Sequence, residues 1–182
     1  MPDPVVDYET AASGFADVLA RCSDDDLKMP SPCEGWTAQD VVDHVMGGPA
    51  YYAEAWGGAG PEVPDDADRA TRYAAGARAL AEVCRRDGVL EQMVASPLGG
   101  GEIPAGMMFS ILTSDTLIHT WDLARAIDAD VQLDQDLLQR TWDGLIPIEE
   151  MVRRPEVFGP PVEVDADAPL QDRAMAWFGR TP

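Results

Sequence analysis

From Pro104 to about Ile127 the chain reads PAGMMFSILTSDTLIHTWDLARAI, with proline at its first position and none afterwards. Proline is at ease at the start of a helix, where its missing N–H would have no partner anyway. The stretch therefore predicts one long helix, and a long helix buries its apolar positions only against others. Four further segments repeat the 3.6-residue apolar spacing that supplies such partners. The first runs from about Pro4 to Cys22, with Val6, Ala11, Phe15, Val18 and Leu19 on one stripe. The second begins after Thr37, an N-cap with Asp40 at the third position. Gly47-Gly48-Pro49 is predicted to kink or stop it, because Pro49 cannot donate to the Val45 carbonyl, with Tyr51, Tyr52 and Trp56 resuming beyond. The third spans Ala67 to Asp87 and closes at Gly88, and the fifth in chain order spans roughly Asp134 to Arg153 with a kink at Pro147. GGAGPEVPDD is a loop, and residues 89–103 are the least helical part, a short hairpin or an ordered loop. The tail PEVFGPPVEVDADAP reads as extended, and PLQDRAMAWFG as a short last helix. The expectation is an all-α fold, an antiparallel four-helix bundle with a short extra C-terminal helix, in one domain over residues 1–182.

Charge narrows the partners. A net charge of −20 on 182 residues, with acids spread along the chain and Lys28 as its one lysine, excludes a sequence-independent grip on nucleic acid or an anionic membrane. It also favours a neutral or weakly charged small molecule over a strongly anionic one. No apolar run approaches the ~20 residues that cross a bilayer. The N-terminal MPDPVVDYE is acidic where a signal peptide is basic, so a cytoplasmic location is expected. Three cysteines, Cys22, Cys33 and Cys84, form no CxxC pair and are expected to be buried structural thiols without fast thiol chemistry. GGGE within residues 89–103 lacks the lysine of a phosphate loop.

The chain has two histidines. His119 lies four residues after Asp115, so on a helix the two project from one face, one turn apart. His44 sits at similar depth in the second helix. If the two helices pack as antiparallel neighbours, the three side chains converge inside the bundle as an open His/His/carboxylate metal site. Spacing alone leaves a second possibility, two satisfied core histidines and a local hydrogen bond. Asp122 either accepts from an imidazole N–H or pairs with Arg125, the commoner arrangement at that spacing. Trp36 and Trp121 read as core aromatics. Gly47 and Gly48 leave volume beside His44, Tyr51 and Tyr52 either pack or reach a bound ligand, and Met107, Met108, Ile111 and Leu112 suit an apolar pocket wall.

Three blocks carry a family resemblance. PCEGWTAQDVVDHV resembles the P-C-x-G-W segment, closing on a histidine, of the DinB-like four-helix metalloproteins, in the branch related to mycothiol-dependent maleylpyruvate isomerases. DTLIHTWDLARA is similar to that branch's acid-x-x-x-H-x-W-D-L-A-R-A block, and FGPPVEVDADAPLQDRAMAWFGRTP to its closing segment. The resemblance implies that His44, Asp115 and His119 hold a divalent ion, zinc first and nickel, manganese or iron as alternatives. It further implies mycothiol as co-substrate of a thiol transferase or isomerase acting on a small organic molecule. A metal-assisted cyclase, isomerase or hydrolase without a thiol stays open, as do a non-catalytic metal-binding bundle and a homodimer. Two departures stand out. The full isomerases add a C-terminal sterol-carrier-like domain for which this chain has no room, and their carboxylate ligand is typically Glu where this chain has Asp115.

Overall fold

The longest helix, α4 (Ala105–Ala126), is buried on nearly every side along its second half, where Leu117 to Ala124 are all buried. The computed structural model describes residues 3–97, 99–154 and 157–182. Met1 and Pro2 of the acidic start, Leu98 of the 89–103 segment, and Pro155 and Glu156 of the tail lie outside them. Around α4 stand α1 (Pro4–Leu19), α2 (Ala38–Ala55) and α3 (Arg69–Cys84). Each of these three starts on a side chain that caps its free backbone N–H groups. Asp3 accepts from the Val5 amide, Thr37 and Asp40 form the reciprocal box expected from their spacing, and Asp68 accepts from the Thr71 amide.

Packing fixes the directions. Helix α1 lies against α3 and α4, and so does α2. From the turn before α2 and on along that helix, the neighbours on α4 run in opposite order, with Cys33 by Asp122, His44 by Asp115, and Gly48 beside Leu112. These two helices are antiparallel. Helices α1 and α3 are antiparallel too, with Phe15 on Tyr73 and Glu9 on Arg85. By contrast α1 and α4 run the same way, with Tyr8 on Phe109 and Gly14 near Thr120. So do α2 and α3, where Gly76 faces Pro49 and Gly58 meets Val83. The bundle is thus up-down-down-up, because the GGAGPEVPDD connection carries the chain back along the bundle before α3 begins.

Three local expectations change. Helix α2 is unbroken through Pro49. The lost hydrogen bond to Val45 is offset by packing: Pro49 is buried, and a Cβ on Gly76 would stand 3.4 Å from the Ala50 nitrogen and 3.5 Å from the Pro49 ring. The fifth helix divides at Pro147 into α5 (Gln135–Leu145), a 3-10 turn over Ile146–Ile148, and α6 (Glu149–Val152). Pro104 caps α4 from outside, at the end of a small antiparallel hairpin of β1 (Met93–Ala95) and β2 (Glu102–Pro104). The short last helix is α7 (Leu170–Trp177), packed on α5.

Two apolar clusters share α4. The first fills the bundle with Phe15, Val41, Leu80, Phe109 and Leu123. The second joins Leu117, Ile118 and Trp121 of α4 to Leu138 of α5, Met175 of α7 and Phe178. A helix enclosed from two sides holds its polar side chains in fixed places, and α4 carries three of those described next. Among the described residues no helix is long and apolar enough to cross a membrane.

Candidate metal centre

His44 of α2 meets Asp115 and His119 of α4 between the two helices. His44 Nε2 lies 3.1 and 3.2 Å from the Asp115 oxygens, and His119 Nε2 lies 3.5 Å from Asp115 Oδ1. One donor atom from each of the three residues falls within 4.8 Å of the others. The two imidazoles stand edge to face, centroids 4.9 Å apart. Solvent reaches this side: 44% of the His44 side chain and 35% of the Asp115 side chain are exposed, against 10% of His119. Burial opposes ionisation of Asp115, but the hydrogen bonds from His119 and His44 prevail and hold its carboxyl well below the usual carboxylate range.

The other nitrogen of His119 faces a drier cluster. Nδ1 lies 2.9 Å from Oδ2 of Asp122, which has no exposure. Asp122 also takes a two-pronged contact from Arg180, with Nε donating to Oδ1 at 3.1 Å and Nη2 to Oδ2 at 2.8 Å. The Cys33 thiol donates to the same Oδ2 at 3.2 Å and stands 4.0 Å from His119 Nδ1. Arg180 Nη2 is 3.6 Å from the Cys33 sulfur. Burial raises the Asp122 carboxyl, and the His119 and Arg180 hydrogen bonds outweigh it, bringing it down to about 2. For His119 burial favours the neutral ring, yet its contacts with Asp115, Asp122 and Cys33 push it well above its ordinary value.

Arg180 reaches this place through the end of α7. The Gly179 amide donates to Ala176 and the Arg180 amide to Met175, the double bond of a left-handed helix ending. Gly179 has φ +84°, and a Cβ there would stand 3.1 Å from the Gly159 carbonyl. The FGR sequence thus turns the chain inward, and Arg180 is left 8% exposed.

Several readings from sequence are corrected here. Asp122 accepts from the imidazole and from Arg180, whereas Arg125 sits over the Trp121 ring at 5.5 Å. Trp121 is a core aromatic, but Trp36 is half-buried, stacked near-parallel to His119 at 5.8 Å and edge-on to His44 at 5.2 Å. Of the three cysteines only Cys84 is buried, its thiol pushed up to about 12 by burial. Cys22 is half-buried away from this cluster, and Cys33 belongs to it. Arg180 and Cys33 are 147 residues apart, so no local spacing joins them; the traces they leave are the cysteine of PCEGW and the glycine that ends α7. Beyond His44 the surface is open, with nothing within 4 Å of a Cβ built on Gly47. Tyr52 is half-buried beside Gly48, Tyr51 is exposed, and of the expected wall Met108 lies in the core while Met107 points out.

A helical bundle with two histidines and a carboxylate facing one another across two helices defines the class of protein. The profile described as "Mycothiol maleylpyruvate isomerase N-terminal domain" matches residues 8–124, and the chain belongs to that family. Two uncharacterized proteins of Mycobacterium tuberculosis, from strains CDC 1551 / Oshkosh and ATCC 25618 / H37Rv, are each 30% identical over 182 residues, covering 98% of this chain and 98% of their own. No solved structure matches the chain.

Proposed function

We propose that the protein is a divalent-metal enzyme that acts on a small organic molecule, with His44, Asp115 and His119 holding the ion and a low-molecular-weight thiol of the mycothiol type as co-substrate. The observation that carries this reading is the convergence of one donor atom from each of the three residues within 4.8 Å. The donor set fits zinc, which takes imidazole nitrogen and carboxylate oxygen and keeps a position open for a substrate when the protein supplies three ligands. Asp122 supports it, because a histidine that binds an ion through one nitrogen ordinarily donates its other N–H to a carboxylate.

A bound divalent ion lowers the pKa of a thiol or water and polarises a carbonyl. The protein's own contribution is placement. Asp122 accepts a hydrogen bond from His119 Nδ1–H and leaves Nε2 turned toward Asp115. Trp36 covers one face of the His119 ring, and the exposed edges of His44 and Asp115 leave the approach for small molecules. The acidic surface supports a neutral or weakly charged substrate. The thiol rests on membership of a family described by a mycothiol-dependent isomerase.

The test has two stages. Elemental analysis of the purified protein should find a divalent metal that is lost from His119→Ala, and equal metal content in the two would overturn the reading. The metal-loaded protein, given mycothiol and a panel of small electrophiles, should consume thiol. Turnover indifferent to thiol would instead favour metal-assisted hydrolysis or isomerisation.

A further inference from the structure

We propose that Arg180 is a positioning residue of the metal centre, so that the end of the chain, far beyond the matched segment 8–124, completes the site. The inference rests on the reading above that His119 is a ligand. A single oxygen, Asp122 Oδ2, accepts from His119 Nδ1 at 2.9 Å, from Arg180 Nη2 at 2.8 Å and from the Cys33 thiol at 3.2 Å. Arg180 grips both carboxylate oxygens, and this planar fork fixes the plane of the group as well as its charge. Without Arg180 the carboxylate is held at one oxygen only, by His119 and Cys33, and is free to turn about its terminal bond, a soft torsion. The His119 ring would then lose the fixed acceptor that keeps its proton on Nδ1.

Arg180 is itself held from three sides. Its Nη1 donates to the Phe178 carbonyl at 2.8 Å, its guanidinium lies 5.8 Å from the Phe158 ring centroid, and its own amide closes the end of α7. Every one of these contacts comes from residues after the matched segment. Seating of Met175 and Phe178 in one apolar cluster with Leu117, Ile118 and Trp121 therefore sets the position of an arginine that sets a carboxylate that sets the ligand. By reciprocity, an ion on His119 must favour the docked form of the chain end to the same degree that docking favours the ion.

The experiment uses the full chain as wild type, Arg180→Ala and Arg180→Lys. In metal-free protein held at a pH high enough to leave the His119 ring neutral, nitrogen-15 NMR of the imidazoles reads its tautomer. Competition with a chromophoric chelator reads zinc affinity. Wild type should show the proton on Nδ1, and Arg180→Ala should show a mixture with zinc bound about 10- to 100-fold more weakly, the range for removing an outer partner of a ligand. Arg180→Lys, which keeps the charge and loses the fork, should fall between them. An Arg180→Ala protein with the wild-type tautomer and wild-type affinity overturns the proposal. Should Arg180→Ala fail to fold by circular dichroism, the same two readouts on Arg180→Lys decide it, and wild-type values there overturn it. If the wild type takes up no zinc, the metal reading fails, while the tautomer comparison still decides whether Arg180 positions His119.

Discussion

His119 has a wet side and a dry side, and they are built differently. Its Nε2 faces Asp115 and His44, two partly exposed side chains that both lie inside the matched segment. Its Nδ1 faces Asp122, Cys33 and Arg180, drawn from α4, from the turn before α2 and from the end of the chain. The wet side is open to exchange of ions and small molecules, and losing one of its side chains leaves no buried charge behind. The dry side is closed, and its charges stay affordable only while each keeps its partner. Changes on the dry side should therefore cost the fold, and changes on the wet side should cost the ion.

Asp122→Ala should have the largest effect on the fold. It leaves Arg180, 8% exposed, with its guanidinium charge buried and unpaired, and breaking one half of a buried pair costs about 3–5 kcal/mol. Urea unfolding measures it, and a loss under about 1 kcal/mol would break the contrast between the two sides.

Gly179→Ala attacks the same side without touching a charge. The position has φ +84°, and a Cβ would press on the Gly159 backbone at 3.1 Å. A left-handed conformation costs a non-glycine residue about 1–2 kcal/mol, and the contact with backbone adds to it, so about 2–3 kcal/mol of destabilisation is expected by the same measurement. Gly47→Ala, in a helix with nothing near the added Cβ, should be neutral or stabilising by up to about 1 kcal/mol.

These two glycines show what the sequence made legible. Helices announce themselves through spacing and caps, and so the bundle and the Thr37–Asp40 box could be read in advance, while the facing of His44 with Asp115 and His119 followed only on condition that α2 and α4 pack as antiparallel neighbours. Arg180 and Cys33 could not, because what joins them is the seating of Met175 and Phe178 in the apolar cluster of Leu117, Ile118 and Trp121, between segments far apart in the chain. Trp36 read as core because an aromatic beside an apolar helix usually is; only the convergence of α2 and α4 shows that it covers a histidine. Pro49 misled in the opposite direction, since the local rule against a mid-helix proline yields where Gly76 lets α3 pack against it.

Acid should separate the sides further. The Asp122 carboxyl sits at about 2 in the folded protein, below its ordinary 3.8. A depressed carboxyl contributes stability that is fully present above the ordinary value and is lost as pH falls through the folded one. The metal-free protein should therefore lose roughly 2 kcal/mol from this group between about pH 4 and pH 2. Asp115, also held down, adds to the loss in the same direction. His119 works in the opposite sense. Its raised value stabilises the metal-free fold below the ordinary histidine range, and that contribution fades as pH rises toward the folded value. Urea midpoints taken across pH 2–9 should thus peak on the acid side of neutrality, and Asp122→Asn should flatten the acid limb.

His44→Ala should barely move the fold. The side chain is 44% exposed, and its Asp115 partner, itself 35% exposed, can turn to water. Substitutions at such positions usually stay within about 0.5 kcal/mol. The ion is where the change should appear. With three donors reduced to two, a zinc ion bound there would lose the grip by which it would stabilise the folded state. Wild type should gain about 2.7 kcal/mol at zinc 100-fold above its dissociation constant, and its melting temperature should rise with added zinc while that of His44→Ala stays flat. Asp122→Ala should show the reverse balance, a lower melting temperature before any zinc is added. A His44→Ala protein whose melting temperature climbs with zinc as steeply as wild type would put the ion elsewhere. The wet side would then be an exposed ion pair and no more, and the ion would be sought on the dry side, where donor atoms of Cys33, His119 and Asp122 also lie within 4.8 Å of one another.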